Sequence, residues 1–559
     1  MKRIEDPRQI RLFELAGDYL SARQRSKLEN GMHGLFRRTI LQLMPVEKLG
    51  SHLSPNHGRP SMELYAACGL ILFQGWFGWG DEEAVRRYNY DLSIQYALNV
   101  DGSYREISLR TLERYQKKFR TDNLASELFS DVTRVLIAEL GIEVQKQRLD
   151  STHVFSNMAQ WGRKQLCFNI IKRFLTQMKR HENGLYYKLD AVYLERYEKD
   201  AGWIFAEPGI KNTRYRGHIC DNLEQLGWDM DRLIAMFGSH QKLSNMTTYK
   251  EMVRVFTENF FSDDGKIKIS PHPGGAALQN PSDPDAGNGH KGQGYQVQVA
   301  ETCHDSNPVQ IVTCVIPEKA NASDQNAVEP VLEQTRENGI QPELLLADTG
   351  YGSDDNVRHA EAAGTRLVAP TVAKKDCEFG LEDFKFDENK RLIRCPSNCR
   401  PLKSSFEGGN GRAVFAQSAC ANCPHLKSCP ASKSGKNFAI TYTEKSLRLA
   451  NRRVNQRTAE FKEEYRPRGG IEATFGREKQ YGPLRRLRVR GEKAVYSAIY
   501  LIWIGHNIMQ AARFFENQAQ KLRKAPKAAS ISARRRPNSP IHRLWRHGFV
   551  SWAINLRAV

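Results

Sequence analysis

Between residues 142 and 369 the chain alternates short extended runs with helical patterns, and this order constrains the fold more than any other feature. Ile142 to Asp150 is extended in character and ends on an aspartate. A helix-rich stretch follows to about residue 262, with Ile170, Ile171, Phe174, Leu175 and Met178 at helical spacing. A Gly/Pro/Asp-rich loop from Ser270 to Gly294 separates it from Tyr295, Val297 and Val299, which alternate as a half-buried strand. Gln310 to Ile316 reads as a second strand, and Ala327, Val328, Val331, Leu332 and Thr335 mark one face of a helix. Glu343 to Asp348 is a short apolar strand ending on another aspartate. Asp354 to Ala363 reads as a helix and Arg366 to Ala369 as a last strand. With the helical insert set aside, the order predicts an α/β fold, a mixed sheet flanked by helices. Two aspartates then sit at neighbouring strand ends, where open α/β sheets place their ligands.

Further on, Tyr465, Arg468, Glu472 and Lys479 have the spacing Y-x2-R-x3-E-x6-K. On one α-helix these offsets fall on one face, and Pro467 suits a first helical position. Apolar side chains usually occupy such offsets, so a polar stripe there suggests a face lining a site. The plainer alternative is a solvated, charged helix start. Joined to Asp150 and Asp348, the stripe points to chemistry. Phosphoryl transfer on DNA needs hard oxygen ligands holding two divalent ions roughly 4 Å apart, and Mg²⁺, with Mn²⁺ as a substitute, suits carboxylates. Arg468 and Lys479 would then flank the ions and hold phosphates, and Tyr465 would pack on or hydrogen-bond the DNA backbone. Two spare acids, Asp283 and Asp285, fit DNA-end contacts or an outer shell, but a loop turn is the favoured reading.

The partner indicated by charge agrees. A formal net charge of +20 and a pI near 9.4 call for a polyanion, nucleic acid first and a membrane surface second. The longest apolar run, Leu64 to Gly80, is broken by glycines and Gln74, and the first residues lack the apolar stretch of a signal peptide. A soluble cytoplasmic protein is expected, with its 11 cysteines reduced or metal-bound. Residues 1–140 read as a helical, DNA-binding domain. Within it, helices at Asp81 to Tyr88 and at Ile107 to Phe119 fit a helix-turn-helix or any small bundle. Ser108 is the expected N-cap of the second, with Leu109, Leu112 and Phe119 inward. Residues 141–515 form the expected catalytic domain, carrying the helical insert at about 160–265 and a Cys-rich insertion at about 376–435. It closes on a packed helix, Ala494 to Phe515, with Ile499, Ile502, Trp503 and Ile504 in its core stretch. Residues 516–559 read as a basic tail that contacts phosphates without reading sequence, or else as a merely solubilising one.

The insertion holds Cys395, Cys399, Cys420, Cys423 and Cys429. A C-x2-C pair with further cysteines nearby suits a tetrahedral, structural Zn²⁺. The preferred set is Cys395, Cys420, Cys423 and Cys429, with Cys399 or His425 as the substitute, and a cluster of reduced thiols is the competing reading. Cys68, Cys167, Cys220, Cys303, Cys314 and Cys377 are scattered and read as ordinary core or loop residues.

Three segments carry a resemblance: Arg148-Leu-Asp150-Ser-Thr-His153, Leu346-Ala-Asp348-Thr-Gly-Tyr351, and Tyr465 to Lys479. Over roughly residues 60 to 510 the chain resembles the DDE transposases of bacterial insertion sequences, in the branch with the Y-x2-R-x3-E-x6-K signature. The resemblance implies an RNase-H-like core with two metal ions that cuts element ends by hydrolysis and joins the 3′-hydroxyls to target DNA. It implies Asp150, Asp348 and Glu472 as metal ligands, with Tyr465, Arg468 and Lys479 as the signature residues around them. It further implies a homodimer on paired ends, working on nucleoid DNA. The helical insert is a departure, because the simplest RNase-H-like plan has a hairpin there. Two other readings share the charge pattern: a non-catalytic, zinc-supported DNA-binding protein derived from a transposase, and a structure-specific nuclease.

Overall fold

Five strands make the central sheet: β1 (Lys146–Val154), β2 (Gly292–Thr302), β3 (Val312–Lys319), β4 (Leu344–Ala347) and β5 (Arg366–Val368). They are seen in a computed structural model that describes residues 1–9, 19–100, 106–198, 201–205, 222–372 and 379–524. β1 lies in the middle, antiparallel to β2 from Gln147↔Thr302 to Val154↔Tyr295 and parallel to β4 from Lys146↔Leu344 to Leu149↔Ala347. β3 pairs antiparallel on the far side of β2, and β5 pairs parallel outside β4. The three-residue strand Gly287–Gly289 adds a sixth member beside β2. The mixed sheet expected from the sequence is therefore present, with β1 longer than its pattern indicates. Asp150 sits in the middle of β1, because pairing with β2 continues through Thr152 and Val154.

Successive side chains of a strand point to opposite faces, and the two faces pack into different cores. Tyr295, Val297 and Val299 join the core of the N-terminal helices, whereas Leu149, Ala300 and Cys314 join helices α1 (Val328–Glu337) and α2 (Asp354–Ala362). β2 is consequently buried on both sides from Gly294 onward rather than half-buried. The larger core is closed by α4 (Glu492–Lys524), which outruns the expected 494–515 at both ends and buries Ile499, Ile502, Trp503 and Ile504. Lys521, Arg523 and Lys524 belong to this helix, while 525–559, with the rest of the basic tail, lies outside the described residues. Asp283 and Asp285 hold its start. Asp283 accepts hydrogen bonds from the Tyr295 hydroxyl (2.7 Å) and the Gly491 N–H (3.1 Å), and Asp285 accepts one from the Glu492 N–H (3.3 Å). The loop reading of these two acids stands.

The N-terminal region is helical throughout Ala22–Ser51 and Leu64–Leu140, apart from short links and residues 101–105, which lie outside the described residues. Ser108 caps helix Leu109–Thr121 through the Thr111 N–H at 3.3 Å, and Leu112, Tyr115, Gln116 and Phe119 form its buried stripe. Leu109, expected inward, is 39 % exposed, since this first turn lacks the cover that 112–119 receive. A further helix, Leu92–Ala97, lies between Asp81–Tyr90 and Leu109–Thr121, so the pair is not joined by the short turn of a simple helix-turn-helix.

The insert between β1 and β2 is a helical bundle with its own core, including Ile170, Phe174, Met178, Leu226, Met230 and Met252. It ends in the hairpin Phe260–Asp263 and Lys266–Ile269. The cysteines from Cys395 to Cys429 lie in a small β module whose last strand ends at Thr443. Its sheet orders the strands Lys403–Glu407, Asn410–Phe415, Asn437–Thr443 and Ser432–Ser434. Cys68, Cys167, Cys303 and Cys314 are buried as expected, and Cys220 and Cys377 lie outside the described residues. Among the described residues no helix is long and apolar enough to cross a membrane.

Candidate active site

Leu149 and Ala347 are register partners on the parallel strands β1 and β4, so the next residues, Asp150 and Asp348, emerge side by side. Each accepts a hydrogen bond from the following backbone N–H, Ser151 at 2.8 Å and Thr349 at 2.7 Å, which fixes one oxygen and leaves the other directed outward. The third acid arrives on a broken helix. The segment expected as one helix is three pieces: helix Ala459–Tyr465, a 3₁₀ turn Arg466–Gly469, and helix α3 (Gly470–Gln480). Pro467 lacks an N–H and the pair Gly469-Gly470 disfavours helix, so the ladder breaks there.

That break delivers Arg468 into the centre of the acids. Its guanidinium lies 2.7 Å from Asp150 and 3.5 Å from Asp348 through Nη2, and 2.8 Å from Glu472 through Nη1. Asp150 and Arg468 are well covered, while Asp348 and Glu472 are mostly open to solvent. Burial pushes the Asp150 carboxyl above its ordinary range against the opposing pull of Arg468. Burial disfavours the Arg468 charge, yet Asp150, Asp348 and Glu472 together hold the guanidinium above its ordinary range. Tyr465 packs against Phe461, ring centroids 5.6 Å apart, and against the sheet beside Leu346. Burial first, and then the neighbouring acids against the pull of Arg468, push its phenol up to about 12.

Three residues that the spacing did not single out position this segment. Arg148, one residue pair before Asp150 on β1, donates through Nε (2.8 Å) and Nη2 (2.5 Å) to Glu301 on β2 and through Nη1 to the Pro467 carbonyl (2.8 Å). The Thr474 hydroxyl donates to the other Glu301 oxygen at 2.9 Å. One buried ion pair thereby ties the 3₁₀ turn and helix α3 to the sheet. Gly470 permits the approach, since a Cβ there would lie 2.0 Å from Arg148 Nη1. The far end of α3 is fixed by Glu478, 2.9 Å from His506 of α4.

Lys479 does not join the acids. It lines an open pocket of about 480 Å³ with His153, Phe155, Lys291, Gln480 and Arg485. Burial, then Lys291 and Arg485, lower the Lys479 pKa, as expected where cations face one another. Burial brings His153 down to about 4, with Lys479, Lys291 and His290 adding to the effect, so its ring is neutral at pH 7. Lys291 Nζ is 3.5 Å from the Ser151 carbonyl and its charge is felt at Asp150. A cluster of cations thus borders the carboxylates. Lys291 and Arg485 have no sequence signal of their own, because they come from a hairpin tip and a loop.

Among the described residues no group of three or more His, Cys, Asp or Glu side chains is arranged to hold a metal ion. The donor chemistry at Asp150, Asp348 and Glu472 nevertheless suits a hard divalent cation, because carboxylates are hard oxygen donors and these three already converge on one positive charge, the Arg468 guanidinium.

Residues 394–512 match the family model described as Transposase DDE domain, and residues 23–118 match Transposase domain (DUF772). The first match includes Arg468, Glu472 and α3, and the second the N-terminal helices up to Lys118. No curated protein and no solved structure matches the chain. Two transposase matches on either side of the sheet that aligns Asp150 and Asp348 agree with the convergence of the three acids, and together they support a DDE transposase of insertion-sequence type.

Proposed function

We propose that this transposase cuts DNA at the ends of an insertion sequence and joins the freed 3′-hydroxyls to target DNA, on an RNase-H-like core. The observation that carries the reading is the meeting of Asp150, Asp348 and Glu472 on one guanidinium from three separate parts of the chain. Asp150, Asp348 and Glu472 would hold Mg²⁺, which when bound lowers the cost of forming the attacking oxygen and of expelling the leaving one. Arg468 keeps the three acids in register as their counter-ion, and its planar fork turns to a DNA phosphate when that charge is no longer needed. Tyr465 packs beside the scissile strand. Lys479, with Lys291 and Arg485, holds a backbone phosphate in the pocket next to the acids. The N-terminal helices bind the element ends, and two copies act on paired ends.

DNA carrying the element's own ends, incubated with Mg²⁺ or with a chelator, tests this reading. Joined products that require Mg²⁺ support a transposase. Cleavage without joining means a nuclease, and tight binding without chemistry means a DNA-binding relic. For Lys479→Ala we expect weaker binding to end DNA of any sequence. The slope of log affinity against log salt should fall by about 1, as for one lost phosphate contact. Fluorescence anisotropy across a salt series measures it, and an unchanged slope would remove Lys479 from the phosphate site.

A further inference from the structure

The cysteines of the β module lie on three turns that open on one small cavity. Cys395, Cys399, Cys420, Cys423 and Cys429, with His425, line a space of about 30 Å³ whose remaining walls are largely apolar. The first turn is closed by the Asn398 N–H on the Cys395 carbonyl (2.9 Å) and the Cys399 N–H on Cys395 Sγ (3.3 Å), with Asn398 at φ 60°. The second is closed by the Cys423 N–H on the Cys420 carbonyl (3.1 Å) and the Leu426 N–H on the Cys423 carbonyl (3.1 Å). In the first turn an N–H is thus aimed at sulfur, an arrangement that favours a thiolate at Cys395. None of the five is in a disulfide.

We infer that Cys395, Cys420, Cys423 and Cys429 bind one structural Zn²⁺ that closes this module. Four soft thiolates match tetrahedral zinc with Zn–S near about 2.3 Å and leave no position open for chemistry. As they stand the thiols line the cavity without being arranged as a ligand set, so zinc binding requires their sulfurs to close inward onto it. Cys420 is central to the set. It lines the shared cavity together with Cys395, Cys423 and Cys429. Cys399 stays at the rim, its Sγ directed to the Ser397 carbonyl at 3.6 Å.

The module needs such a closure. Its buried core is Phe384, Leu392, Ala413, Phe415, Ile440 and Tyr442, joined by Leu447 of the following helix, too few to stabilise residues 379–443 by burial alone. The consequence reaches the active site through helix Glu444–Asn455, which follows the module's last strand. Arg448 pairs with Asp354 at 2.6 Å, and Arg452 donates to the carbonyls of Gly352 (2.9 Å) and Ala369 (3.0 Å). This helix leads directly to the helix ending at Tyr465 and the turn bearing Arg468.

The test is the metal content of full-length protein purified without added metal, with the metal released by a mercurial thiol reagent. The expected result is about one zinc per chain, released as the thiols are modified. Cys420→Ser and Cys423→Ser should lose it, and Cys399→Ser should keep it. Where the serine variants fail to fold, Co²⁺ incorporated during growth should give wild-type protein the visible bands of a tetrahedral thiolate site. Folded wild-type protein without zinc would overturn the inference. So would thiols that all react without releasing metal, or iron with inorganic sulfide in zinc's place.

Discussion

Asp150→Asn and Glu472→Gln are each expected to lower strand cleavage and joining by at least about a thousandfold, equal to roughly 4 kcal/mol of barrier. Both changes keep side-chain size and remove one negative charge from the ring around Arg468. Glu472 is 67 % exposed, so its amide costs little in folding, and Arg468 keeps Asp150 and Asp348 as partners in that variant. Loss of activity with an unchanged melting curve would therefore report on chemistry. Gel analysis of labelled end DNA at fixed Mg²⁺, beside thermal melting, checks both quantities. A variant within tenfold of wild type would take its residue out of the reacting centre.

Glu301→Ala is expected to act through folding. It leaves Arg148 buried with its charge unpaired, because Glu301 is its carboxylate partner and the Pro467 carbonyl alone remains. Removing one member of such a pair costs about 3–5 kcal/mol. The thermal midpoint should drop by roughly 3–4 °C for a chain of this length. Replacing both partners, Arg148→Met with Glu301→Leu, should recover most of the stability, since a buried pair exchanged for apolar side chains is nearly neutral. The double variant should still be slow, because Pro467 and Thr474 lose the contacts that tie Arg468 and Glu472 to the sheet. Full recovery of both stability and activity would reduce the pair to a packing element.

The division between what local pattern reveals and what it hides is visible at these same residues. The five main strands and the flanking helices of the sheet were legible because apolar periodicity is local, as at Leu344–Ala347 and Asp354–Ala362, whereas the short strand Gly287–Gly289 lay in the expected loop. The meeting of Asp150, Asp348 and Glu472 was legible because two strand-borne acids and one polar helical stripe have few common explanations. The Arg148–Glu301 pair spans 153 positions and leaves no spacing to read. The break at Pro467 was hidden for a related reason. Proline fits a helix start as well as a 3₁₀ turn, and only the docking of the segment on Arg148 decides between them. Lys479 carried its cation as expected, but a straight helix gives its rise of about 1.5 Å per residue, and seven residues carry it from Glu472 to a separate pocket. The β module lay hidden because its strands are short and its core slight.

The most direct test of one carboxylate site with Arg468 as its counter-ion is Mn²⁺ binding to the DNA-free, full-length protein, followed by calorimetry or by the spin resonance of the free ion. Wild type should bind Mn²⁺, and Asp150→Asn or Glu472→Gln should weaken binding by at least about tenfold, or roughly 1.4 kcal/mol. Arg468→Ala should tighten it, because the cation now between the acids no longer repels the incoming one. Mn²⁺ affinity indifferent to all three substitutions would contradict the account, leaving Asp150, Asp348 and Glu472 as partners of an arginine and nothing more.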